Sequence, residues 1–261
     1  METMMTESMA PRTSKPVAAQ ASLLLVAMCT SSPLLASERG PYAGRWALQQ
    51  VTTTVAEVPV VGKVYATTTA VSIHKLKHKG ERLRGKGRLC KLDLDSGSAF
   101  VKTVMPPALL KALPAPRVDA IVRDEGGRLT FSQPRQTIVL GAKLDNPEGD
   151  TLPRLIGDPR VFDQDEDGEP AVTVRISGIV SGDMRVVQRS WTELTGERVG
   201  HDRIEGSVRF GNEQVILDAT ASTLKSPPPS SPDLTRSRFK LVRLPDKATC
   251  SDALAAVREG T

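Results

Sequence analysis

Nine runs rich in Val, Ile and Thr, separated by turn signals, constrain this chain more than any single motif in it. They are "RWALQQVTTTVAEV", "GKVYATTTAVSIHKL", "RLRGKGRLCKLDL", "RLTFSQ", "QTIVLGAKL", "AVTVRISGIV", "MRVVQRSWTEL", "RIEGSVRF" and "EQVILDATASTL", and several alternate in polarity with period two. "KGE", "DSGS", "EGG", "NPEGD", "SGD" and "FGNE" stand between them as turns. A further strand pattern, "SRFKLVRL", follows the proline-rich "SPPPSSPDL", which is therefore a surface loop and not a domain linker. Helical spacing is confined to "PPALLKALP", "DTLPRLIGD" and the tail "KATCSDALAAVRE". The chain is predicted to be all-β, an antiparallel barrel or two-sheet sandwich of long strands with two or three short helices.

A faint internal duplication runs through these strands, with half-repeats over 44–112 and 136–225. From Pro59 and again from Pro170, proline opens a long alternating strand, and a Gly-Glu-Arg turn follows (Gly80-Glu81-Arg82 and Gly196-Glu197-Arg198). Another strand then ends in a Leu-Asp pair. Two such hairpins could form the halves of one barrel or two facing sheets, although β-rich chains also resemble one another by chance.

The amino-terminal segment has the order of an export signal. Arg12 and Lys15 precede an apolar run from Val17 to Cys29, and Ser, Pro and small residues come after it. The run is shorter than the roughly 18 residues a membrane span needs, and Pro33 interrupts its extension, so a retained anchor is the alternative reading. Residues 1–36 are read as this signal, cleaved after Ala36 or carrying a lipid at Cys29. "LVAMC" is similar to a bacterial lipoprotein box, but Met28 is too large for it. Residues 37–261 then form one β domain in the periplasm or outside the cell, free or lipid-anchored to the outer membrane, with no transmembrane span. In such a compartment Cys90 and Cys250 are expected to form a disulfide, against the alternative of two buried free thiols.

Two stretches carry charge in a pattern that suggests binding. "DQDEDGEP" places Asp163, Asp165 and Asp167 at alternate positions before Gly168, which is how a calcium loop begins, with the carbonyl of Glu169 as the next ligand. An EF-hand is excluded, because its twelfth position falls on Val174 and Pro170 removes a backbone donor. A shorter calcium turn completed by water, by Asp158 or by a distant carboxylate remains, beside the plainer reading of a solvated acidic turn. In "HKLKHKGERLRGKGRLCK", Lys75, Lys77 and Lys79 project from one face of a hairpin, and Arg82, Arg84, Lys86 and Arg88 project together from its partner strand. Anionic lipid or acidic envelope polymer would suit this patch; a solvated face guarding a sheet edge is the alternative. Nucleic acid fits poorly, because the net charge is only +5 and aromatics, which single-strand binding stacks on, are 3 % of the chain.

"YAGRWAL", with Gly44 and Trp46 opening the first strand, resembles the Gly-x-Trp start of lipocalins. That resemblance implies an eight-stranded barrel around a small apolar ligand with Trp46 plugging its closed end. As a whole the chain resembles exported bacterial β-proteins of an uncharacterised type. Local enzyme motifs fail: "GERLRGKG" has Gly87 where a phosphate loop needs Ser or Thr, and "LDLDSGSAF" offers a single aspartic-protease-like Asp95. The expected role is therefore non-catalytic, binding an apolar or anionic ligand or serving as an envelope component with a structural calcium loop. The alternatives are an envelope hydrolase using carboxylates such as Asp163 or Asp95, and a lipid-tethered adhesion module.

Overall fold

The computed structural model describes residues 40–58 and 62–259, so residues 1–36, the expected export signal with Cys29, lie outside the described residues. Strands β1 (Gly44–Val58), β2 (Gly62–Lys79) and β3 (Arg82–Asp95) come first. They are followed by β4 (Val101–Val104), α1 (Pro107–Ala112), β5 (Arg117–Glu125) and β6 (Arg128–Leu140). An irregular segment over 141–171 leads to β7 (Val172–Gly178), β8 (Gly182–Val199), β9 (Arg203–Ala219), β10 (Ser230–Pro232), β11 (Arg238–Leu244) and α2 (Cys250–Arg258).

β1, β2, β3, β5, β6, β8, β9 and β11 pair antiparallel in chain order, and β11 pairs back with β1, so these strands close a ring. Where the ring closes, these strands present no exposed edge. Alternate residues face the interior, and Trp46, Leu48, Leu76, Leu83, Phe131, Leu194, Ile204 and Leu241 pack there into one core. The opposite register, Ala47, Val71 and Ile73, is buried outside the barrel beneath α2.

Helix α2 forms because Thr249 and Asp252 make a capping box and because Ala253 and Val257 fall on one face. It is fixed by the Cys90–Cys250 disulfide. The β2–β3 register pairs Val71 with Lys91 but Ser72 with Leu89, leaving Cys90 as a bulge residue beside α2.

The ring is complete only at one end. There β11 holds β1 from Arg45 to Val51, and β5 holds β3 from Arg82 to Lys86. Beyond these ladders β1–β3 run on as one sheet, extended by β10 on β1, and β6, β8 and β9 run on as another, extended by β7 and β4. At the far end of the second sheet α1 lays Leu109 against the inward Val172, Ile176, Met184 and Val186.

Several expectations change. "DTLPRLIGD" is not helical but irregular, with Leu152 buried and Leu155 74 % exposed. "RLTFSQ" and "QTIVLGAKL" are one strand, β6, bent by a bulge between Gln133 and Gln136, and "FGNE" lies inside β9. Gly196-Glu197-Arg198 lies within β8, and the turn that matches Gly80 is at Gly200. The structural correspondence is therefore between Arg82-Leu83-Arg84-Gly85 and Arg203-Ile204-Glu205-Gly206. In both stretches the aliphatic residue is fully buried. In both the glycine lies against the neighbouring strand, and an added Cβ would come within 2.2 Å of Lys75 O or 2.1 Å of Thr195 O. "RVDAIVRDE" forms β5, a strand the sequence reading did not include.

Candidate functional site

The closed end is built by the chain entering β1. Tyr42 is buried there, with its hydroxyl between the Asp124 carboxylate (3.3 Å) and Arg198 Nη1 (3.0 Å), next to the β5–β6 and β8–β9 turns. Trp46, 1 % exposed, donates its indole N–H to Tyr42 O at 3.0 Å. The Arg243 guanidinium stacks 4.5 Å from its ring and donates to the carbonyls of Pro41 and Ala43. This floor is sealed by burial, cation–π stacking and charge-assisted hydrogen bonds together.

Above the floor lies a buried polar layer. Ser72 Oγ is 2.8 Å from His74 Nε2, and Nδ1 of His74 has no partner. Burial alone lowers the His74 pKa to about 4, so the imidazole is neutral at neutral pH. No carboxylate orients the ring and His74 is 1 % exposed, so this serine–histidine pair is a packed polar contact without the access that nucleophilic catalysis needs.

Beyond this layer the inward residues stop being sealed. Gln50, Thr52, Thr68, Ala70, Leu92 and Leu94 on one sheet are half-buried, as are Gln136, Gln188 and Ser190 on the other, while Asn212 and Gln214 are exposed. Ile138 points inward from β6 and is still 43 % exposed. No Asp, Glu, Lys or Arg occupies the inward register of these strands above the floor. Lys63, Lys91, Asp93, Arg135, Arg189, Glu193 and Glu213 all stand in the outward register. Two depressions lie on the outer wall instead. One, of about 440 Å³, is lined by residues such as Gln49, Thr67 and Arg238. The other, of about 330 Å³, lies beside Trp191 and Arg135.

The acidic loop is a compact knot on the segment before β7. Its base is closed by Gln164 N–H to Ala171 O (3.1 Å) and Ala171 N–H to Phe162 O (3.2 Å). Asp163 accepts from the N–H groups of Asp167 and Gly168, and Asp167 from Glu169 N–H and the Thr173 hydroxyl. Asp165 is only 4 % exposed; its Oδ2 accepts from Thr173 N–H at 3.1 Å, and its Oδ1 has no partner. One oxygen from each of the three aspartates lies within 4.8 Å of the others, so the cluster could hold a metal ion. Burial, then the neighbouring Asp167 and Asp163, push the Asp165 pKa up. The Glu169 side chain is not part of the cluster and pairs with Arg185 at 3.2 Å. Asp158 is likewise engaged elsewhere, held down to about 2 by its hydrogen bonds from Arg160. Asp95, at the end of β3, is exposed and caps a turn through Gly97 N–H.

The basic stretch forms one wall. Lys75, Lys77, Lys79, Arg82, Arg84, Lys86 and Arg88 are all exposed on the outer face of β2 and β3. The ladders set Lys77 opposite Arg84, Lys79 opposite Arg82, Lys86 opposite Arg117 and Lys75 opposite Arg45. Asp119 answers Arg84 at 2.7 Å, and Glu81 answers Arg123 at 3.2 Å.

Comparison with protein families, characterised proteins and solved structures finds no match for this chain. Among the described residues no helix is long and apolar enough to cross a membrane.

Sequence reading located both charged features, because each is contiguous in the chain. It missed the open upper barrel, whose signal is dispersed: the inward register of long strands changes from Trp, Leu and Phe to Thr, Ser, Gln and Ala away from the floor.

Proposed function

We propose that the protein is an exported, non-catalytic carrier that holds a neutral, largely apolar ligand in the open half of its barrel. One observation carries this reading: above a fully sealed floor, the inward surface stays partly exposed yet bears no charged side chain. Leucine and isoleucine there provide apolar contact, and glutamine, serine and threonine provide hydrogen bonds without the desolvation cost of an ion, the usual composition of a small-molecule site. An anionic ligand inside the barrel would find no cation. The lipocalin-like Gly44–Trp46 start is consistent with this use of the fold. Export is supported by the disulfide, which persists in oxidising compartments, and by the signal-like segment. An environment-sensitive apolar dye tests the site. It should bind the protein and lose at least tenfold in affinity on Ile138→Asp, which puts a charge on the lining; equal binding by both proteins would count against it.

The acidic loop supports a second, structural role, calcium binding, on a separate observation. Asp165 Oδ1 is buried without a partner in a cluster of oxygen ligands alone, a donor set that suits a hard cation and offers zinc no nitrogen or sulfur. Calcium there would neutralise three crowded carboxylates and pin the loop onto β7.

A further inference from the structure

We propose that the outer wall of the β2–β3 hairpin docks the protein onto an anionic lipid bilayer, with the barrel opening held away at the other end. Like charges directly opposite in a ladder destabilise a sheet, and this wall sets four such pairs side by side. Protection of an edge does not account for them, since β2 lies between β1 and β3, and β3 between β2 and β5. Carboxylates answer the repulsion only in part: Asp119 pairs with Arg84, and Glu81, the one acidic residue from Ile73 to Leu89, pairs with Arg123. Among the described residues no carboxylate lies within ion-pair distance of Lys75, Lys77, Lys79, Arg82 or Lys86. A fold that keeps this repulsion is complemented by a dense negative surface.

A bilayer is the occupant favoured over a soluble polyanion for two reasons. The described chain begins beside this wall, where Gly40 N–H donates to His78 O at 3.3 Å. In sequence, Cys29, where a lipid is the alternative to cleavage after Ala36, stands eleven residues before Gly40, a chain length of at most roughly 40 Å. One lipid chain plus a basic surface is the pairing that gives stable peripheral attachment where either alone is marginal. The stretch from Ile73 to Leu89 also contains no Phe, Tyr or Trp to stack on bases or sugars.

The test is co-sedimentation of the full chain with phosphatidylcholine–phosphatidylglycerol vesicles and with pure phosphatidylcholine vesicles. The anionic vesicles should bind more than tenfold better, and binding should weaken with salt. Each basic residue near such a surface contributes about fivefold, so the Lys77→Glu, Lys79→Glu, Lys86→Glu triple variant should lose more than tenfold. The same substitutions made to Gln should lose less. Lys63→Glu, Lys102→Glu, Lys247→Glu, the same charge change placed elsewhere, should stay within about threefold of the parent by the same scale. Unchanged melting by circular dichroism shows that each variant is folded. Equal binding to both vesicles, no loss in the wall variant, or equal loss in the control would each overturn the proposal. So would tighter retention on soluble dextran sulfate than on anionic vesicles.

Discussion

At the residue scale, His74 is the side chain whose burial has the clearest measurable cost. Unfolded, it titrates near 6.5; folded, burial holds it near 4. Between those values the unfolded chain binds a proton that the folded chain excludes, so this contribution is fully favourable above pH 6.5 and is lost as pH falls towards 4. The loss amounts to roughly 3 kcal/mol across the window. Urea unfolding of the parent and of His74→Gln at pH 7.5 and 4.5 should show the variant less acid-sensitive by most of that amount; parallel losses would contradict it. Asp165 gives a second prediction. Calcium at about a hundred times its dissociation constant should raise the melting temperature by roughly 5–10 °C in the parent and hardly at all in Asp165→Asn. Chelator should reverse the rise, and no shift at millimolar calcium would remove the site. The acidic loop was legible in sequence because its ligands are alternate residues of one turn. What the sequence could not show is that the middle aspartate is the buried one, since that depends on Thr173, at the start of β7, donating its N–H to the Asp165 carboxylate.

At the element scale, glycine was the residue that misled. "FGNE" reads as a turn, yet Gly211 sits mid-strand in β9, where a Cβ would come within 2.4 Å of the Trp191 indole nitrogen. Gly85, Gly87 and Gly206 do the same for Lys75, His74 and Thr195, so these glycines are there for close cross-strand packing. The strands consequently run longer than their local signals suggest, which is what a closed barrel with an extended opening requires. By contrast α2 was legible, because capping residues and apolar spacing are local. Its attachment is testable: the disulfide joins positions 160 apart, and closing so long a loop restricts the unfolded chain by up to ~5 kcal/mol. Cys250→Ser, or reduction of the parent, should lower the urea midpoint, with a loss of several kcal/mol in unfolding free energy, and loosen protection of α2 amides in hydrogen exchange. An unchanged midpoint would mean that packing on Ala47, Val71 and Ile73 alone holds the helix.

At the scale of the whole molecule, charge is sorted by surface. Above the floor the inward register is uncharged, the outer hairpin wall is basic, and the acidic knot sits on the segment that leads into β7. Fold class followed from alternation and turn spacing, but barrel closure did not, because the β9–β11–β1 ladders join residues far apart in the chain. The opening is illegible for the same reason, being assembled from the inward register of several long strands. The most direct test is native mass spectrometry of protein purified without detergent, with extraction of whatever it retains. The account predicts a neutral, predominantly apolar molecule bound one per chain, absent from Ile138→Asp. A protein that retains nothing, or retains the same molecule in that variant, would contradict it.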